Sequence, residues 1–506
     1  MSPRLRLALF LVAGAVIGIL VATDISDEHY GFAVLVALFS CWLIIERTSD
    51  APPDAWLLGA VLVGYIVGNR GFAQIQPTRQ IPLLPAEAVL LVAVPALVVR
   101  MANKRATGFR KDSLNVLVLI WILYGTALLP VDLNRFGVMA LRDYAMIYYA
   151  SFFYIGQAFG ADAASARLLK RALTIAFATL LPVVVIIQLF PDFLLEHFTW
   201  HGIPIIYHKS DLIATSLAAG FFWLWTRRKP GGGLIWPLLA AASLLLIGAM
   251  ASPRAAMAAA VTTTLLWIIV GRWRIAAAQF GIVLGGSALA LAAVAISGRD
   301  LRTSAPYSAY EHAISIFDPE GTGSYINAES GDPGGNNRFR VIWWTDVIDE
   351  TLGTSPVFGL GFGSDLAARF LADYDLLGDE TFSARSPHSM IVTTFGRMGF
   401  VGLAIWIAAS AAMARMVWRL LRQGDPDSLG LASATCVIWI SSCVGVVLES
   451  PMGAVIFWTV LGLANSRAQP APVAAAETPP SGPAAAAPEE CPVANAGPLP
   501  TESRPR

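Results

Sequence analysis

The sequence predicts an all-α polytopic membrane protein with about 12–14 transmembrane helices and one large, partly helical loop on the non-cytoplasmic side. Three observations predict it. The 506 residues are 56% hydrophobic and only 14% charged, with a mean hydropathy of +0.61, whereas soluble domains are about a quarter charged. Apolar runs recur from residue 7 to residue 466. The Lys/Arg clusters all fall on one side of the bilayer if each run crosses once.

A crossing takes about 20 mainly apolar residues. Candidate runs fall at 7–23, 31–46, 55–69, 83–100, 114–130, 138–159, 171–190, 211–226, 232–250, 253–270, 274–296, 388–415, 430–448 and 451–466. The start, MSPRLRLALFLVAGAVIGILVAT, resembles a signal peptide but lacks a small-x-small cleavage site, and reads as an uncleaved helix. PRLR (3–6), RMANKRATGFRK (100–111), ARLLKR (166–171), RRK (227–229), GRWR (271–274) and RMVWRLLR (415–422) then share the cytoplasmic side with the N-terminus. The other side holds the connections 24–30, 70–82, 191–210 and 449–450, and an insertion at 297–387. The expected organisation is an N-terminal bundle (1–296), this outer loop (297–387), C-terminal helices (388–466) and a tail (467–506).

Within the loop, YSAYEHAISIF (307–317) and NNRFRVIWWTDVIDETLG (336–353) have helical periodicity, with Ile342, Trp343 and Val347 able to share a face. DPEGTGSYINAESGDPGGNN between them has the composition of a mobile segment. The tail, AQPAPVAAAETPPSGPAAAAPEE onward, lacks core formers and is expected to be disordered and cytoplasmic. Cys41, Cys436, Cys443 and Cys491 show neither metal-type spacing nor a disulfide framework. A net charge of zero gives no hint of a nucleic-acid partner.

A charge at a membrane helix centre costs about 2.5–3.5 kcal/mol on insertion scales, so ionisable groups in or near the apolar runs are functional candidates. Arg254 follows Ser252-Pro253 at a helix start, where it either snorkels to headgroups or meets a ligand. His388 follows Pro387 in the same way. Imidazole is the side chain best suited to exchange a proton near neutral pH, although interfacial histidines are often structural. Arg397 lies nine residues further on, or about 13 Å along a continuous helix. The flanking Gly396 and Gly399 allow a kink or close packing there, which favours a buried partner or a polar cavity.

WHGIPIIYHKSD (200–211) places His201, His208, Lys209 and Asp211 on the outer side, without a helical His pair that would mark a metal. Arg142-Asp143 inside a run reads as a neutralised pair. Arg338 and Arg340 alternate with Phe339 on either a solvated helix face or a ligand site, and Arg385 stands three residues before His388. Arg254, Lys209, Arg338, Arg340, Arg385 and Arg397 around one histidine suit an anionic ligand, since each guanidinium presents a planar fork to phosphate oxygens. No Walker-type loop is present, so outer-side chemistry calls for a pre-activated substrate, for which a sugar on a lipid diphosphate is suited. Neither a metal nor a cofactor is expected.

These residues resemble the O-antigen ligase-related family, which includes O-antigen ligases and polysaccharide polymerases. Its late signature, a His-Asn pair, an apolar helix and two glycines three apart, is similar to His388, Gly399 and Gly402. Upstream, Arg338 or Arg340, Trp343-Trp344, Pro356 and GLGFG (359–363) follow the family's order. Ser252-Pro253-Arg254 resembles its Ser-Arg helix start, and HKSDLIA (208–214) the segment after an outer basic residue. The likeness runs over roughly residues 200–402 in motif and most of the chain in topology. Four positions depart from it. Ser389 stands for Asn, Arg397 stands where an acid is usual, and Pro253 splits Ser252 from Arg254. Lys209, His201 or His208 would have to replace an arginine in the 191–210 connection.

The resemblance implies metal-independent transfer of a glycan from undecaprenyl diphosphate to a sugar hydroxyl. It places that step on the periplasmic side of the bacterial inner membrane, with both termini cytoplasmic. His388 would be the base and Arg254 with Lys209 would hold the diphosphate. Arg338, Arg340 and Arg385 would close the loop over the donor, with Arg397 counted in the substrate-binding set. Implied partners are the undecaprenyl-diphosphate-linked oligosaccharide, an acceptor glycan or lipid A-core, membrane lipids and a chain-length regulator. Ligase and polymerase differ only in acceptor, and the departures lean towards a polymerase. The alternatives are a transporter or flippase of the lipid-linked glycan, favoured by inverted repeats or interrupted helices that the sequence does not clearly display, and a non-catalytic membrane scaffold.

Overall fold

The computed structural model describes residues 45, 48–76, 84–103, 110–200, 202–228, 233–250, 253–298, 300–318, 320, 322, 323, 325, 326, 333–373 and 385–468. The run at 7–23, nearly all of 31–46, the PRLR cluster, His201, Ser252 and the tail beyond 468 lie outside them. The protein is an all-α polytopic membrane protein. Among the described residues, five helices are long and apolar enough to cross a bilayer: Pro85–Ala102, Ser113–Phe136, Ala163–Leu189, Trp273–Ile296 and Met390–Gln423. Pro53–Val67, Ile235–Ile247 and Arg254–Ile269 are apolar but shorter. Ser210–Trp225, Pro426–Cys443 and Pro451–Arg467 complete the bundle. Strand is confined, in the described residues, to one two-residue hairpin, Thr199–Trp200 with Ile203–Pro204.

The run at 138–159 is not one helix. It forms Val138–Asp143, Ala145–Tyr148 and Ser151–Ala161. Bonds from Ile147 N–H to the Tyr144 carbonyl and from Ala150 N–H to that of Ile147 tighten the joints into i→i+3 turns. The Tyr148 and Tyr149 hydroxyls then converge on one carboxylate oxygen of Glu87, at 2.6 and 2.7 Å.

Lipid tails give helices no hydrophobic reason to associate, so close packing of small residues and buried hydrogen bonds hold the bundle. Ser151–Ala161 and Pro451–Arg467 approach closely enough that a Cβ on Gly462 would stand 2.2 Å from the Phe153 carbonyl oxygen. Asn115 and Gln157 exchange amide hydrogen bonds at 3.0 and 2.9 Å, and Asn465 donates to Gln157 at 2.6 Å, which ties three helices together. At one end of the bundle Lys170 and Arg227 both meet Asp427, at 2.5 and 2.8 Å, and Arg467 meets Asp425 at 2.8 Å. Lys170 and Arg227, one residue from each of two basic clusters, therefore meet at a common end.

The 297–387 loop contains Ala305–Ser315 and Pro333–Thr354, close to the stretches whose periodicity predicts helix. Trp343, Val347, Leu360, Leu366, Phe370 and Val392 form a small core that joins it to the start of Met390–Gln423.

That last helix is interrupted at Gly399, one of the two glycines at which the sequence allows a kink. Gly399 has φ 63° and ψ −160°. The freed backbone groups are not left open. Leu360 and Gly361 donate to the Gly396 and Arg397 carbonyls at 2.7 and 3.2 Å, and Phe400 donates to the Pro356 carbonyl at 2.8 Å. A Cβ on Gly399 would lie 2.4 Å from the Val357 carbonyl, so the approach of the 356–361 strip requires glycine there.

Candidate functional site

His388 sits just before the first turn of Met390–Gln423 with a left-handed backbone, φ 56°. Pro387 fixes its approach, accepting a 2.5 Å bond from the Trp344 indole. Ser389 caps the helix by accepting from Val392 N–H, and its hydroxyl donates to the Cys443 carbonyl at 2.7 Å. The imidazole lies 5.7 Å from the Trp343 ring, centroid to centroid. Burial first, then the charges of Arg340 and Lys209, push it down to about 3. It is therefore neutral, with a nitrogen lone pair to offer.

Arg340 reaches the site because of its place on Pro333–Thr354. Phe339, Trp343 and Val347, four apart, face the small core. At 3.6 residues per turn Arg340 lies about 60° from Trp343 and Arg338 about 140°. Arg340 accordingly turns inward, donating to the Val444 carbonyl at 2.9 Å. Arg338 is exposed, so the structure separates the two arginines that the sequence leaves equivalent.

Arg340 shares a small polar pocket with Arg254, Asp211, Thr215 and the backbone strip Val444, Gly445 and Val447. Arg254 is the first residue of its helix and only 8% exposed. It does not snorkel: its guanidinium bonds Asn337 Oδ1 at 2.5 Å, and Asn337 in turn donates to the Ser315 and Asp318 carbonyls at 2.7 and 2.8 Å. Lys209 is placed by its N–H on Asn69 Oδ1 at 3.0 Å, and its ammonium lies 3.9 Å from Asp211. His208 stands apart, bonded to the Val67 carbonyl at 2.8 Å, with burial lowering its pKa.

Arg385 and Arg397 belong to a second group, around the GLGFG turn. Arg397 is 3% exposed and pairs with Asp143 at 2.7 Å. Asp143 also accepts from Gly363 N–H at 3.1 Å, and Asp132 accepts from Phe362 N–H at 2.8 Å. Arg385 donates to the Gly363 carbonyl at 2.9 Å and lies 3.8 Å from Asp365. The expected Arg142-Asp143 pair is not formed. Arg142 is exposed, and consecutive helical residues do not face each other.

Sequence reasoning missed two acids and gave Asp143 the wrong partner. Glu449 accepts hydrogen bonds from Ser386 and Thr393 beside His388. Asp132, with Asp143, holds the glycine turn. An isolated acid within or directly beside an apolar run was the available signal for Glu449 and Asp132. His312 is also buried, and Arg254 acts on it: burial, then that cation, lowers its pKa.

Interrupted helix, cationic pocket and neutral histidine define a polytopic membrane protein with a polar site let into the end of its bundle. A family model described as O-antigen ligase matches residues 239–407. Over that region, well under half of the chain, the protein is similar to the O-antigen ligase family, and its long apolar helices make it a multi-pass membrane protein. The match takes in Arg254, Arg340, Arg385, His388 and Arg397, and leaves Lys209, Asp143 and Glu449 outside. No curated protein matches the chain.

Proposed function

We propose that the protein transfers a glycan from undecaprenyl diphosphate to a sugar hydroxyl on the periplasmic side of the bacterial inner membrane, without a metal. One observation carries this reading: the charges of Arg340 and Lys209 act on a neutral histidine, and Arg340 shares a pocket with Arg254. The acceptor hydroxyl gives its proton to the His388 imidazole as its oxygen attacks the anomeric carbon. The bond from that carbon to the diphosphate oxygen breaks, and the diphosphate leaves with the electron pair. Arg254, Arg340 and Lys209 face the charge that develops on it. Asp211 keeps the cluster from carrying uncompensated positive charge before the donor arrives. Both termini are assigned to the cytoplasm, a reading supported by the gathering of Lys170, Arg227 and Arg467 at one end.

The two arginines then differ from the third. Arg254→Ala and Arg340→Ala are each expected to lower kcat/KM for the lipid-linked donor by about 10- to 100-fold, the worth of a hydrogen bond to a charged group. Arg338→Ala is expected to remain near normal. Initial rates over a donor series check both.

The acceptor is settled by purified protein in liposomes with lipid-linked repeat units, with and without lipid A-core. A ladder without core is the expected product and marks a polymerase; core-dependent product marks a ligase.

A transport reading has one observation in its favour, the interruption at Gly399. In transporters the ends of broken helices point at substrate or ions. Here the 356–361 strip occupies them, which supports a fixed scaffold. Donor crossing the liposome bilayer with no new glycosidic bond would instead select transport.

A further inference from the structure

The connection between Pro426–Cys443 and Pro451–Arg467 holds a group that the transfer step does not use. One oxygen of the Glu449 carboxylate accepts from Thr393 Oγ1 at 2.7 Å, and the other accepts from Ser386 Oγ. The two hydroxyls are themselves 3.3 Å apart. They bracket His388, one before the turn and one in the first helical turns after it. At the other end of the same connection the Cys443 carbonyl accepts from Ser389. The segment carrying His388 is thus strapped at both ends to one connection.

The strap has something to hold. A residue with a Cβ keeps φ near 56° only where its surroundings over-determine it. The two hydroxyl donors are met by the two oxygens of one carboxylate, each accepting one bond. The charges of Arg397, from within the helix, and Lys209, from the facing loop, both act on Glu449. Burial raises the Glu449 pKa, while the hydrogen bonds from Ser386 and Thr393 and those two charges oppose it in favour of the carboxylate.

We propose that Glu449 is a positioning residue, whose carboxylate holds the His388 turn, through Ser386 and Thr393, in the geometry needed to accept the acceptor proton. The proposal rests on the transferase reading above.

The test uses the full chain in liposomes with lipid-linked repeat units, alongside wild type and His388→Ala. Glu449→Ala is expected to lower kcat by about 10- to 100-fold, the usual cost of a misplaced catalytic group, with donor KM unmoved. The Ser386→Ala/Thr393→Ala pair should show the same loss, and the triple variant no more. Glu449→Gln, keeping one acceptor oxygen, should lose less than alanine. A general structural defect would move KM or the elution profile and would not be shared with the hydroxyl pair. If Glu449→Ala does not fold, the hydroxyl pair decides. Normal kcat in Glu449→Ala or in the hydroxyl pair, with His388→Ala inactive, overturns the strap alone. A raised KM with normal kcat overturns it too, making Glu449 a donor-site residue. Near-normal transfer by His388→Ala overturns both the strap and the base assignment.

Discussion

Alanine at His388 should abolish glycan transfer while leaving expression and membrane insertion normal. General-base catalysis contributes about 10²–10⁴-fold, and among the described residues no second histidine is placed to replace it: His208 is bonded to backbone, and His312 lies towards Arg254. The pH profile adds a finer expectation. An imidazole accepts a proton only when neutral, and this one protonates at about 3 in the free protein. The profile of kcat/KM, which reports the free enzyme, should therefore show no acid limb from His388 between pH 8 and 5. A bound diphosphate would offset the Arg340 and Lys209 charges and raise that pKa, so any acid limb in kcat should lie at higher pH than the limb in kcat/KM. A limb near 6.5 in kcat/KM would contradict the environment described for His388.

Arg397→Met should be the most destabilising of the site substitutions. It leaves the largely covered Asp143 without its cation, for which the usual cost in a buried pair is up to about 3–5 kcal/mol. Asp143→Asn in the same chain should recover much of that loss, because the amide oxygen can still accept from Gly363 and no charge is stranded. Thermal unfolding of the two variants in detergent measures both steps. An Arg397→Met protein as stable as wild type, with impaired donor binding, would return Arg397 to the substrate-binding set. The pair also accounts for a basic residue where the family usually carries an acid, since the compensating charge comes from Asp143 on a different element.

How much could be read from the chain follows from where each signal lies. Apolar runs are local, so the helices from Pro53–Val67 onward were legible, as were the two loop helices with their periodic apolar faces. The breaks were less so. Nothing local announces that 138–159 tightens into i→i+3 turns. Gly399 permits a kink, but a true interruption depends on a distant strip, 356–361, supplying the missing hydrogen bonds. His388, Arg254 and Lys209 could be nominated because charge beside apolar sequence is costly. Choosing Arg340 over Arg338 required only that Phe339, Trp343 and Val347 be taken as the anchoring face, a signal that was present. Asp143 with Arg397 and Glu449 with Ser386 are pairings between remote segments, and a single sequence carries no trace of them.

The most direct test of transfer at this site is stoichiometric. Purified protein in liposomes, given lipid-linked repeat units and an acceptor glycan, is followed for released polyprenyl diphosphate and new glycosidic bonds. The account predicts one diphosphate released per bond formed by wild type, and neither by His388→Ala. Donor consumed at equal rates by both proteins, or donor moved across the bilayer with no bond formed, would contradict it.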